Sequence, residues 1–269
     1  MATKHLHKYL QQNVKVLSHN ANRITKGFHE EAIHKFRVEI KKFRATLRLL
    51  TFNTPKANIK LPADCKKLYA LAGSLRDLQI ILQQTSLRKY QLPHFERFLL
   101  KQQLLHQKKW LKQSPKLALT QLNSWLDTIA LAPCNQQLLL SFLKQQLVII
   151  SQLVKHNPDE EAIHTMRKKL KDMLYNCKLL QENNGLTQAV KDVLPMKQMD
   201  ELSDALGQFN DEQIFIAQLH QFQKSKLSIE EKLQLQHILR DEEKLLQQNR
   251  LLLLKKIKLF VSRYPKELR

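Results

Sequence analysis

Apolar residues recur at alternating spacings of three and four along most of this chain. The pattern is sharpest from Glu30 to Leu50, where Ile33, Phe36, Ile40, Phe43, Leu47 and Leu50 form one stripe. That period predicts an amphipathic helix with one buried face. The stripe returns from Glu160 to Leu180 as Ile163, Met166, Leu170, Met173, Cys177 and Leu180, each 130 positions after its counterpart. Prolines and glycines cut the rest of the chain into further helices. In the first part these run from Thr3 to about Ile24, closed by Gly27, then from Ala63 to about Tyr90 and from Pro93 to Lys112, with a short piece after Pro115. The first stripe helix should stop before Pro55. In the second part a helix spans about Asn135 to Lys155. The second stripe helix is entered through Asn157 as N-cap and Pro158 at the first helical position, and ends near Gly185. Two more run from Pro195 through Lys224 and from about Ser228 to Arg263. No Asn-Gly or Asp-Gly hairpin signal appears, so the expected fold class is all-α. Four main helices per repeat predict two four-helix bundles. One domain over 1–269 would consist of halves 1–132 and 133–269.

A second stripe rides beside each apolar one. His34, Arg37, Lys41, Arg44 and Arg48 keep the same spacings, displaced by one residue, and so lie about a quarter-turn round the helix. From His34 to Arg48 the row runs about 21 Å at about 1.5 Å per residue. The repeat carries His164, Arg167, Lys171 and Lys178, with Leu174 in the place of Arg44. Like charges at these spacings repel by a few tenths of a kcal/mol per pair, and a solvated face normally mixes in acids. Neither row contains one. A snorkelling basic face beside a core would explain a single row; packing alone does not require the row to be repeated. The reading that fits both is a set of positions for an extended anion.

Composition points the same way. The 269 residues carry 45 Lys and Arg against 24 Asp and Glu, a net charge of +21, and such an excess attracts nucleic acid, anionic membrane or a phosphate polymer. Gly is scarce, four in all. Cys65, Cys134 and Cys177 lack CxxC spacing, so neither a disulfide framework nor a zinc site is indicated. The N-terminus has no apolar signal region, and the longest purely apolar runs, such as Leu251 to Leu254, are too short to cross a bilayer. The expectation is a soluble, cytoplasmic protein with no membrane insertion and no cofactor.

A further motif follows each stripe: LAGSLRDLQIIL from Leu71, and ALGQFNDEQIFI from Ala205. Gly73 aligns with Gly207, Asp77 with Asp211 and Gln79 with Gln213. Glycine inside a helix costs about 1 kcal/mol relative to Ala, which suggests close helix approach at both. Asp77 and Asp211, preceded by Arg76 and Asn210, are read as residues that hold and orient stripe cations; a structural ion pair or cap is the alternative.

Other chemistry is poorly supported. His29 and His34 are five apart, not the four that HExxH requires on one helix face. No GxGxxG, P-loop or GxSxG appears. His34 and His164 with Asp77 and Asp211 could coordinate a divalent ion, which would make a metal-dependent phosphohydrolase, but the adjoining cations oppose it. Single-strand binders line a basic groove with aromatics; here only Tyr175 stands beside a stripe. Lys108-Lys109-Trp110-Leu111-Lys112 is basic with a Trp, which at this spacing reads as a core edge.

The pairs His34-x-x-Arg37-Val38-x-x-Lys41-Lys42-x-Arg44 and His164-x-x-Arg167-Lys168-x-x-Lys171-x-x-x-Tyr175 resemble the signatures of the CHAD domain, the conserved histidine α-helical domain. The Arg76-Asp77 and Asn210-Asp211 segments resemble its intervening motifs. The resemblance covers nearly the whole chain. It implies two four-helix bundles related by a pseudo-twofold, a basic groove or pore between them, and binding of inorganic polyphosphate, with association with polyphosphate granules. This sequence departs from the family at Lys41-Lys42, where Arg-Arg is usual, at Leu174 for an Arg, and at Gln79 for an Asp. With no triphosphate-tunnel domain ahead of it, a fused catalytic partner is not expected. The expected function is non-catalytic polyphosphate binding by His34, Arg37, Lys41, Lys42, Arg44, Arg48, His164, Arg167, Lys168, Lys171 and Lys178. Arg76, Asp77, Asn210, Asp211 and Tyr175 would position them. The phosphohydrolase and a nucleic-acid binder are the alternatives.

Overall fold

The computed structural model describes residues 3–52, 59–88, 90, 92–131, 133–155 and 157–264. Among them the chain is all-α, with ten helices and no strand. In the first part these are α1 (Thr3–Gly27), α2 (Glu30–Leu50), α3 (Ala63–Leu87), α4 (Pro93–Lys112) and α5 (Pro115–Thr128). The second part has α6 (Gln136–Lys155), α7 (Glu160–Glu182), α8 (Gln188–Val193), α9 (Met196–Gln223) and α10 (Ile229–Arg263). The expected stop before Pro55 and the expected boundary after residue 132 touch positions outside the described residues. The short α8 was not anticipated, and α3 ends at Leu87 rather than near Tyr90.

Both apolar stripes are core. Ile33, Phe36, Ile40 and Phe43 are fully buried on α2, and Ile163, Met166, Leu170, Met173 and Cys177 are buried on α7. α2 packs on α1, α3 and α7, while α7 packs on α6, α9 and α2, and α3 also meets α9. The two stripe helices are therefore in direct contact, each backed by a helix before it and one after it.

The start of α7 differs from expectation. Asp159, not Asn157, is the N-cap; its carboxylate accepts from the Ala162 N–H at 2.8 Å. Asn157 takes a positive φ of 46°, and with Pro158 it accepts hydrogen bonds from Arg250 of α10. The Asn-Pro pair thus ties the turn to another helix and leaves capping to the acid behind it. Ser228 caps α10 in a full capping box with Glu231.

One helix, α6, is long and apolar enough by length and composition to cross a membrane, which the search for unbroken apolar runs missed. Leu139, Phe142, Leu143, Leu147, Ile150 and Val154 are buried at helical spacing, and α6 packs on α7 and α10. It buries one apolar face against these neighbours.

Candidate functional site

The basic stripes of α2 and α7 converge on one cleft of about 480 Å³. α2 supplies His34, Arg37, Val38, Lys41, Arg44 and Arg48; α7 supplies His164, Thr165, Arg167, Lys168, Lys169, Lys171, Asp172 and Tyr175. α3 adds Tyr69, Arg76, Asp77 and Ile80, and α9 adds Asn210, Asp211 and Ile214. Nine Lys and Arg face three Asp. Residues from both sequence repeats line the same space.

One arginine of each stripe, Arg37 and Arg167, lies against the glycine of the other shared motif. A Cβ on Gly73 would collide with Nη1 of Arg37, and one on Gly207 would meet Nη2 of Arg167 at 3.7 Å. The close approach expected at these glycines is therefore made by a guanidinium and not by a neighbouring helix backbone. Arg37 lies 3.8 Å from the Asp77 carboxylate. It and Arg44 also stand over the Tyr69 ring, at 5.6 and 5.4 Å from its centre, within cation–π range. The Nε of Arg167 is buried without a hydrogen-bond partner. A buried donor of this kind costs about 1–3 kcal/mol until something accepts from it.

Burial, with the concentrated positive charge, displaces the titrating groups. Lys41 is pushed down to about 8 by burial and by Arg167, Arg37 and Lys171, and Lys171 is lowered chiefly by burial. Partial burial, with Arg76, Lys41 and Arg37, holds His34 below the ordinary imidazole value. Burial, Lys168 and Arg167 do the same to His164, against an opposing hydrogen bond with Asn210. Burial also raises Asp77 and Asp211, although Arg37 and Arg167 respectively oppose it. Each displacement reflects the free energy of keeping a charge away from water, which neighbouring charges add to or oppose.

Two of the expected site residues are not in the cleft. Lys42 turns to Glu39 on its own helix at 3.5 Å, one residue round from Lys41 and so on another face. Lys178 pairs with Asp200 of α9 at 2.9 Å. It lies past the point where α7 presses on α2: Leu174 and Asn176 are buried, and Asn176 donates to the Ala45 carbonyl at 3.1 Å. The second row therefore ends at Lys171, with Tyr175 beyond it. Burial pushes the Tyr175 phenol up to about 12. At the same crossing Arg48 makes a bidentate pair with Asp172, Nε to Oδ2 at 2.6 Å.

The four residues of the metal alternative all line the cleft, but they do not assemble: among the described residues no three His, Cys, Asp or Glu come together in a group able to hold a metal ion. Tyr69, Lys169, Ile80 and Asp172 were missed by the sequence reading. Tyr69 and Ile80 had a signal, since 69, 73, 77 and 80 share one face of a helix.

The fold and the site thus define an all-α protein with a cation-lined cleft between two repeated helices. The CHAD domain family model matches residues 8–220, and the chain belongs to the CHAD family. In structure it is similar to the CHAD domain from the plant Ricinus communis, with a TM-score of 0.68 and 17% identity over 95% of this chain and 90% of that one. No curated protein matches it significantly in sequence.

Proposed function

We propose that this protein binds inorganic polyphosphate, without catalysis, in the cleft between α2 and α7. The observation that carries the reading is the convergence of Arg37, Lys41, Arg167 and Lys171 on one cleft, where burial first and the three neighbouring cations second displace Lys41 to about 8, beside an Arg167 Nε that has no acceptor. A polyanion relieves both at once: its charge opposes the repulsion, and its oxygens accept from the guanidinium. Arg37, Lys41, Arg44, Arg167, Lys168 and Lys171 make the direct contacts. Asp77 and Gly73 position Arg37, while Asp211 and Asn210 position Arg167 and His164. The aromatic surface of the cleft argues for phosphates over bases, because Tyr69 already faces Arg37 and Arg44.

The two halves, 1–132 and 133–269, would be four-helix bundles related by a pseudo-twofold, with the cleft shared between them. A cytoplasmic location on polyphosphate granules would follow from the ligand.

Isothermal titration with long-chain polyphosphate tests this. Wild type should bind at one cleft per chain, and Arg37→Glu and Arg167→Glu should each weaken binding by at least about tenfold, because a contact made on one row holds the polymer near the other. Halved stoichiometry at unchanged affinity would mean two separate faces. Competition with duplex DNA at equal phosphate separates the nucleic-acid reading, and phosphate release with added divalent metal separates the hydrolase.

A further inference from the structure

The KKWLK motif on α4 has no part in the cleft, and its surroundings define a second surface. Trp110 itself is core: it is fully buried, edge-on to Phe36, and donates to Thr25 at 3.1 Å. At the other end of α4, Phe95 and Leu99 are buried, with Phe95 against Phe222 of α9. Between these two anchors, from 100 to 109, no residue is buried. The helix is anchored at its ends, and its middle lies along α3 on the half-buried Gln102, Gln103, His106 and Gln107 with its other face in water.

That outer face is amphipathic in the wrong direction for a solvated one. Leu100, Leu104 and Leu111 are 49%, 57% and 54% exposed, and at about 100° per residue they fall within about 40° of one another. They form an outward apolar line about 16 Å long. Arg97, Lys101, Lys108 and Lys112 are exposed along one flank of that line. None of these four has an acidic partner among the described residues. Glu96 is the only acid in the helix.

We propose that the exposed face of α4 docks on an anionic phospholipid surface, with Leu100, Leu104 and Leu111 entering the headgroup boundary and the flanking cations meeting lipid phosphates and carboxylates. An apolar line with a basic flank is the pattern of an interfacial helix. Charge decides between occupants. A second copy would oppose cations to cations on a chain of net charge +21. A soluble phosphate polymer would satisfy the lysines and leave the leucines wet. A bilayer takes both, and it needs only one exposed helix face, which offers a rigid partner little area.

Vesicle flotation tests the proposal, using phosphatidylcholine alone and phosphatidylcholine with about 30% phosphatidylserine. Wild type should float with the mixed vesicles and not with the neutral ones. Leu100→Ser/Leu104→Ser/Leu111→Ser and Lys101→Glu/Lys108→Glu/Lys112→Glu should each weaken flotation at least about tenfold while polyphosphate titration stays at wild-type affinity. Arg37→Glu/Arg167→Glu should float as wild type. The proposal falls if wild type does not float, if the leucine variant floats undiminished, or if the cleft variant is the one that fails. It also falls if the leucine face is instead consumed in a dimer, seen by sedimentation of wild type and lost in the variant. Leu104→Ser alone reads the same effect on a smaller scale should the triple variant misfold.

Discussion

Folding buries Lys41 and sets it beside Arg167, Arg37 and Lys171, and its pKa of about 8 records the free energy this costs. The unfolded chain holds that proton up to about 10.5, so between pH 8 and 10.5 it binds more protons than the native state, and stability contributed by this group rises with pH across that window. Lys41→Met, which keeps the length and removes the charge, should stabilise the protein at pH 7 by about 2 kcal/mol in urea titrations and weaken polyphosphate binding. A bound polyanion restores the proton. Affinity in wild type should therefore fall as pH rises above 8, by up to about tenfold per pH unit, and this fall should disappear in the Met variant. His34 and His164 are displaced downward, so their contribution belongs below the ordinary imidazole range. A His34→Gln/His164→Gln double variant should lose a gain on acidification and keep the alkaline fall. The glycines give a paired prediction. Gly207→Ala has room and should gain up to about 1 kcal/mol of helix stability with affinity unchanged. Gly73→Ala should gain comparable stability, since it displaces only the end of a flexible side chain, but should weaken binding by moving Arg37.

At the level of the helix, the apolar stripes, the cations and their repetition could be read from spacing, because each depends only on residues three and four apart. What could not be read is what happens where α2 and α7 cross. Arg48 and Asp172 are 124 residues apart, and nothing local in either segment announces the pair. The crossing also explains the departure at Leu174. An arginine there would meet the α2 contact, where Ala45 and Asn176 are already buried, whereas leucine fills it. Similarly, Asp159 was passed over as a cap because Asn-Pro is the stronger local signal, and only the long-range bonds from Arg250 show why that pair serves elsewhere. Asp172 keeps a carboxylate inside the cleft, raised by burial although Arg48 opposes this. Arg48→Met leaves that carboxylate without its partner and should cost about 2 kcal/mol, measured by urea denaturation, less than a fully buried pair because Arg48 is partly in water. Asp172→Asn frees Arg48 toward the ligand and should raise polyphosphate affinity severalfold in titration.

For the molecule as a whole, the cleft's nine Lys and Arg against three Asp leave a net of +6 with the histidines neutral, within a chain of +21. Counterion release from a dense phosphate polymer makes log affinity fall linearly with log salt, and the slope should become shallower in Arg37→Glu and Arg167→Glu. Affinity that does not change between about 50 and 200 mM salt would remove the electrostatic basis of the site. Chain length should matter until the polymer fills the cleft, after which longer chains gain little per phosphate.

Both tryptophans of the chain are packed behind the first basic row, Trp110 against Phe36 and Trp125 against Phe43. Tryptophan fluorescence is thus an optical probe of the first half's packing around α2, whereas far-ultraviolet dichroism averages over both halves. Monitored together during denaturation, the two signals report whether the repeats melt as one body. With α2 on α7 and α3 on α9, the two curves should superimpose. A fluorescence midpoint that parts from the dichroism midpoint would show a first half that comes apart on its own.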